Sequence, residues 1–324
     1  MNNHSKSNSS AGYLDKHKAV IALMGPTAAG KTALSLELAE ALNGEIISVD
    51  SALIYRDMDI GTAKPNASEL SRVPHHLIDI RDPTESYSAA EFREDCLALI
   101  EQIQSRGKTA ILVGGTMMYF KALLYGIADL PETDPKVRVQ VLQLLEQKGI
   151  ESLHDYLASF DKLSAQRLHR TDTQRVTRAV EVFLTSGKSL SEWHSEQSLE
   201  PFPHLIRQFA IAPQDRKQLH ERIERRFDLM FELGFVEEVK RLYERGDLSL
   251  ELPSMRCVGY RQVWQFCAGE ISLDEARYRG IVATRQLAKR QFTWLRSWHD
   301  LHWLDTFAEN NFNSVLKSLD NISI

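Results

Sequence analysis

Residues 25–32 read Gly25-Pro26-Thr27-Ala28-Ala29-Gly30-Lys31-Thr32, preceded by the apolar segment AVIALM at 19–24 and followed by leucines at 34, 38 and 42. A G-x-x-x-x-G-K-[ST] pattern between a short apolar run and a helix-period run is the signature of a phosphate-binding loop. Glycines let backbone N–H groups turn inward around phosphate oxygens, and the N-terminus of the following helix adds a favourable dipole. Lys31 brings a positive charge, and Thr32 a hydroxyl of the kind that ligates Mg²⁺. All eight residues are therefore candidates for gripping a diphosphate or triphosphate, with Mg²⁺ as the expected cofactor.

Outward from this loop, short apolar runs alternate with helical patterns. Strands are expected at Ala19 to Met24, Glu45 to Val49, His76 to Ile80, Thr109 to Val113 and Ile206 to Ala212. One helix should run from the loop to the Asn43-Gly44 breaker, and another from a capping box, Ser88 with Glu91, to Gly107. The alternation predicts an α/β fold: a P-loop NTPase-like parallel sheet flanked by helices. From Asp134 to about Ser198 only helices are expected, one opened by Asp134-Pro135 and ending near Gly149, another running from Asp172 to Gly187. The expected organisation is a disordered tail at 1–18, an α/β core at 19–130 and 200–324, and an all-helical insertion at 131–199. Further helices are expected from Asp215 to about Trp298, then a short strand at His302 to Leu304.

The 324 residues carry a net charge of −5, unevenly spread. Residues 161–300 hold 23 basic and 20 acidic side chains, and the remainder 16 and 24, so an anionic partner belongs to the second half. No run is apolar and long enough to span a membrane, and Cys96, Cys257 and Cys267 form no CxxC pair. A cytoplasmic, monomeric protein is expected. The eleven histidines lack partners at metal-ligand spacing and read as structural.

In many P-loop NTPases an apolar strand ends in an acidic residue that helps hold Mg²⁺. Here TAILV runs instead into Gly114-Gly115-Thr116, which speaks against ATP hydrolysis. The carboxylate that does close a strand is Asp50, after EIISV; local sequence leaves it open between a turn or cap residue and a group aimed at the site. Thr116 likewise reads as a helix N-cap or as a site hydroxyl, and Tyr55 as a core tyrosine or a stacking surface.

The chain resembles the tRNA dimethylallyltransferases, or tRNA isopentenyltransferases. The matching segments are GPTAAGKT at 25–32, DSALIYRDMDIGTAKP at 50–65, PHHLID at 74–79, LVGGTMMYFKALL at 112–124, QRVTRAVE at 174–181, RCVGYRQ at 256–262 and KRQFTWLR at 289–296. The resemblance implies transfer of a dimethylallyl group from dimethylallyl diphosphate to the exocyclic amine of the adenosine 3′ to a tRNA anticodon, releasing diphosphate. It implies Asp50 as base, Lys31 and the loop amides on the diphosphate, and Thr116 beside the breaking C–O bond. An adenosine stacked in an anticodon loop must be extruded to be reached.

For tRNA itself the resemblance implicates Asp50, Ser51, Ala52 and Leu53, then Arg138, then Gln174, Arg175, Val176, Thr177 and Arg178. It further implicates Met255, Arg256, Cys257, Val258, Gly259 and Tyr260, and finally Lys289, Arg290, Gln291, Phe292, Thr293, Trp294, Leu295 and Arg296. Between Arg277 and Arg296 there are six basic residues and no acidic one. On a helix Arg285, Lys289, Phe292 and Arg296 share a face that can follow a phosphate backbone, although a solvated amphipathic helix gives the same pattern. The rival readings are an isopentenyltransferase acting on free AMP, ADP or ATP, a small-molecule kinase, and a non-catalytic tRNA-binding module.

Overall fold

The computed structural model describes residues 19–320 apart from 129, 133, 198 and 199; the tail expected at 1–18 lies outside the described residues. In chain order the elements are β1 Val20–Met24, α1 Lys31–Ala41, β2 Gly44–Val49, α2 Ala67–Arg72, β3 His75–His76, α3 Ala89–Ser105, β4 Thr109–Gly114 and α4 Met117–Tyr125. Four helices follow: α5 Pro135–Phe160, α6 Lys162–Arg167, α7 Thr173–Ser186 and α8 Leu190–Glu196. The rest comprises β5 Ile206–Ala212, α9 Arg216–Glu232, α10 Phe235–Glu244, α11 Tyr260–Cys267, α12 Leu273–Arg296, β6 Leu301–Asp305 and α13 Asn311–Asp320. Contacts divide the chain into two compact units, Leu124–Phe202 and the residues on either side of it.

In the larger unit six strands form one parallel sheet in the order β3-β2-β4-β1-β5-β6. Every residue of β1 and β2 is buried, as befits strands covered on both faces. Leu34 and Leu38 of α1 pack on Ile21 and Leu23 of β1 and Ile211 of β5, with Leu42 at the edge of that core. From β1 the chain crosses past β4 to β2, and after β4 it returns on the other side to β5. This reversal opens a crevice beyond the carboxyl ends of β1 and β4, the usual ligand position in such sheets.

The expected strand at His76 to Ile80 is corrected to the two residues of β3. Leu77 and Asp79 take φ of 59° and 56°, left-handed values that end the extended run. The Asp79 and Arg81 amides then bond to Leu53 and Ile54 carbonyls, fastening the segment to the loop after β2. Ser88 and Glu91 form the expected capping box of α3, and the short strand at His302 to Leu304 is present as β6.

The smaller unit is helical and has its own core, including Val141, Leu153 and Leu157 of α5 and Val176, Ala179 and Val180 of α7. Asp134 caps α5 by accepting the Lys136 N–H, and the helical geometry breaks at Gly149. Asp172 caps α7, which stops at Gly187.

Candidate active site

Between β1 and α1 the loop curls because Gly30 and Ala28 take positive φ, 95° and 63°. At φ 95° a side chain would be strained, so the motif's second glycine is a backbone requirement. Side chains from distant segments hold the loop. Arg222 Nε of α9 donates to Ala28 O at 2.7 Å, and Thr306 Oγ1 to Ala29 O at 2.8 Å. Gln291 Oε1 of α12 accepts the Thr27 N–H at 3.0 Å. Lys31 Nζ donates to Gly25 O and Pro26 O, both at 2.9 Å. Burial lowers the Lys31 pKa to about 8; Asp50 opposes that shift and Arg226 adds to it.

The opposite wall is built from the ends of β2 and β4. Asp50 follows β2 directly, and its Oδ1 accepts the Ala52 N–H at 2.9 Å, so one oxygen does serve the turn. Thr116 follows the Gly114-Gly115 turn; its N–H donates to Val49 O at 3.2 Å, and its Oγ1 accepts the Ser51 N–H at 3.0 Å. The Thr116 side chain thus reaches back to the strand carrying Asp50. Tyr55, only 2% exposed, is a core tyrosine.

Loop and wall line one cavity of about 1120 Å³, which Lys31, Thr32, Asp50, Thr116, Arg222 and Arg226 share with apolar Val113, Met117, Phe227 and Met230. The lining thus combines the cations Lys31, Arg222 and Arg226 with apolar side chains. The Arg226 pKa is lowered by burial, held up by Asp50 and depressed further by Arg222. Such a cavity suits a molecule with an anionic head and a hydrocarbon body. Among the described residues no trio of His, Cys, Asp or Glu side chains could hold a metal ion. An ion here would rely on the Thr32 hydroxyl, substrate oxygens and water, which is the donor set Mg²⁺ prefers at phosphate sites.

Some residues expected at an RNA surface also line this cavity: Ser51, Ala52, Leu53, Arg256, Cys257, Val258, Arg290 and Trp294. Burial pushes the Cys257 thiol pKa up to about 12, with Asp50 adding to the shift, so it is a neutral wall group. Lys289, Thr293 and Arg296 are exposed. The Arg296 guanidinium lies 5.8 Å from the Phe292 ring centroid, and Lys121 Nζ lies 5.6 Å from that of Trp294. The expected face through Arg285 is narrower than the spacing suggests, because Arg285 Nη2 is bonded to Glu224 Oε2 at 2.8 Å. Phe292 is half-buried, stacked parallel to Trp303.

Other expected contacts turn inward. Met255 and Tyr260 are 0% exposed, Gly259 is buried, and Gln291 and Leu295 are 8% and 1% exposed, although Tyr260 and Gln291 still border the cavity. Tyr260 Oη donates to Glu238 Oε1 at 2.5 Å, and the same carboxylate accepts the amides of Asp59, Ile60 and Gly61. This buried glutamate fixes the loop after Asp50. In the smaller unit Gln174 and Arg175 are exposed, while Val176 and Thr177 are buried. Arg138 and Arg178 both approach Glu181 at 3.9 Å, and Arg178 donates to Pro131 O at 2.8 Å.

Arg222 and Arg226 escaped the sequence reading. Their signal is weak but present: four-residue spacing in HERIERRFD puts both on one face of the helix that follows β5.

The six-stranded parallel sheet flanked by helices, with the glycine-rich loop following β1 and the cavity beside it, defines a P-loop-like α/β fold. The IPP transferase family model matches residues 53–298, and the chain belongs to that family. It is similar to the tRNA isopentenylpyrophosphate transferase of Bacillus halodurans, with 36% identity over 94% of this chain and 95% of that one, TM-score 0.67. It is similar to the tRNA delta(2)-isopentenylpyrophosphate transferase of Staphylococcus epidermidis, with 36% identity over 94% and 99%, TM-score 0.66. A eukaryotic dimethylallyltransferase acting on tRNA matches with 29% identity over 93% and 78%, TM-score 0.77.

Proposed function

We propose that this protein is a tRNA prenyltransferase: it moves a dimethylallyl group from dimethylallyl diphosphate to the exocyclic amine of the adenosine 3′ to the anticodon. The observation that carries the reading is the shared cavity, with Lys31 and Thr32 at one side and Asp50 and Thr116 in the same walls. The relatives, which are transferases of tRNA, support RNA over a free mononucleotide as acceptor.

The chemistry follows from these groups. The adenine amine is a poor nucleophile because its lone pair is delocalised, and Asp50 accepts its proton as the new C–N bond forms. The C–O bond to diphosphate breaks, and the leaving group's charge is met by Lys31, loop N–H groups and the guanidinium groups of Arg222 and Arg226. Thr116 offers a hydroxyl near the bond that breaks. The Thr32 hydroxyl would help hold a Mg²⁺ ion, which when bound would add positive charge against the leaving group. The apolar walls keep water from competing for the prenyl carbon. No helix among the described residues is long and apolar enough to cross a membrane; the proposed acceptor points to work in the cytoplasm.

The test is to incubate the protein with Mg²⁺, radiolabelled dimethylallyl diphosphate and either unmodified anticodon stem-loop RNA or AMP. Label is expected in the RNA and to disappear with Asp50→Ala, while RNA affinity changes little. Label confined to AMP would overturn the assignment of acceptor.

A further inference from the structure

Gln291 stands in the run from Lys289 to Arg296 whose exposed members suit RNA, yet its amide points into the protein and is 8% exposed. Its Oε1 accepts the Thr27 N–H at 3.0 Å, and its Nε2 donates to Gly115 O at 2.9 Å. One arm therefore holds the phosphate loop, and the other holds the turn that carries Thr116. A Cβ on Gly115 would lie 2.4 Å from Gln291 Nε2, so the glycine makes room for this amide. Gln291 borders the cavity together with Arg290 directly beside it and Trp294 one turn on.

We infer that Gln291 is the positioning residue that sets the spacing between the diphosphate loop and the Asp50–Thr116 wall, and that it makes no contact with RNA. The two walls come from different strands, β1 on one side and β2 with β4 on the other, and act on different atoms: the leaving diphosphate on the first, the amine and breaking bond on the second. Transfer needs both sets at fixed separation, since an error near 1 Å costs about a hundredfold in rate. A carboxamide suits this place because it offers one acceptor and one donor on the same rigid plane. The inference rests on the prenyl-transfer reading for what the walls do, while the bridge itself is a matter of hydrogen bonds.

Gln291→Glu separates the arms. Its carboxylate still accepts the Thr27 N–H but confronts the Gly115 carbonyl without a proton; once protonated, it restores both bonds. Gln291→Met fills the space and makes neither. Prenyl transfer, inorganic diphosphate binding by calorimetry and anticodon stem-loop binding by anisotropy are measured for each across pH 4.5 to 8.5, a range that reaches the ordinary titration of a glutamate. The expected result is a loss in kcat of tenfold or more for both variants, with RNA affinity within twofold of wild type. The Gln291→Glu deficit shrinks as pH falls, that of Gln291→Met does not, and diphosphate binding weakens in Gln291→Met. Circular dichroism checks that Gln291→Met folds, and Gln291→Glu decides alone if it does not. Weakened RNA binding with unchanged diphosphate binding and kcat would overturn the inference, as would two variants with wild-type kinetics. Diphosphate binding requires no acceptor, so it tests Gln291 even if the acceptor proves to be a free nucleotide.

Discussion

The hydroxyl of Thr116 accepts the backbone N–H of Ser51 at 3.0 Å, so the residue after the Gly114-Gly115 turn is fastened to the residue after Asp50. This bond ties two strand ends that the chain separates by more than sixty residues. Thr116→Val keeps the shape and removes the hydroxyl. It is expected to lower kcat by roughly a hundredfold, the effect of losing one aligned donor at a reacting centre. Thr116→Ser should stay within a few-fold. Single-turnover transfer at saturating RNA checks both; equal activity in the two variants would remove Thr116 from the chemistry.

Lys31 predicts a pH dependence in donor binding. Its pKa is lowered by burial to about 8, and a bound diphosphate favours the ammonium form and raises it. Below pH 8 the lysine is already protonated and affinity is flat. Above pH 8 binding must take up a proton, so affinity falls by up to about tenfold per pH unit. Calorimetry at pH 8.5 in two buffers of different ionisation enthalpy should register proton uptake, and Lys31→Met should abolish both the uptake and most of the affinity.

The parts of this arrangement that use consecutive residues were legible in sequence. GPTAAGKT carries its own backbone requirement, and buried strands such as VIALM read as continuous apolar runs. Asp50 stands out as a candidate because it closes such a run. The rest depends on which side chain turns inward, and that is decided by neighbours distant in the chain. Gln291 lies in a basic, aromatic segment and looks like its exposed neighbours until Thr27 and Gly115, some 264 and 176 positions away, supply partners. The strand expected through Ile80 failed for a similar reason: Leu77 and Asp79 give up extended geometry so that Asp79 and Arg81 can bond to residues 53 and 54.

Arg222 and Arg226 add to the cationic lining of the cavity beyond the motif. Arg222→Gln also loosens the loop, because its Nε bond to Ala28 O is lost. Arg222→Gln and Arg226→Gln are each expected to weaken diphosphate binding by about 2 kcal/mol, roughly thirtyfold. RNA affinity should be preserved. A KM for the prenyl diphosphate unchanged in both variants would exclude them from the binding site.

Glu45 anchors the far edge of the sheet. Its carboxylate, 4% exposed, accepts from Lys108 and Arg106 at 2.8 Å and lies 2.7 Å from His76 Nε2. Burial acts to raise its pKa, but the hydrogen bonds from Lys108 and His76 prevail and hold it at about 2. A depressed carboxylate contributes its full stability above the unfolded value near 4.5 and loses it as pH falls toward 2. Glu45→Gln should therefore cost about 2 kcal/mol at neutral pH. Urea unfolding of both proteins at neutral and acidic pH should show the gap narrowing below pH 4.5; a gap independent of pH would assign the effect to packing alone.

Lys289 and Arg290 are exposed neighbours on α12, one turn before Thr293 and Trp294. If they neutralise RNA phosphates, each releases counterions on binding, and each removal must change the salt dependence as well as the affinity. Lys289→Ala and Arg290→Ala are each expected to weaken anticodon stem-loop binding and to reduce the slope of log K against log salt by about 0.7. Trp294→Ala should weaken binding with an unchanged slope, because stacking carries no charge. Arg290 also lines the cavity and Lys289 does not, so of the two charge variants only Arg290→Ala should raise the KM for the prenyl diphosphate in addition. Anisotropy titrations at four salt concentrations separate these outcomes, and a wild-type slope in both charge variants would move the RNA surface elsewhere on the chain.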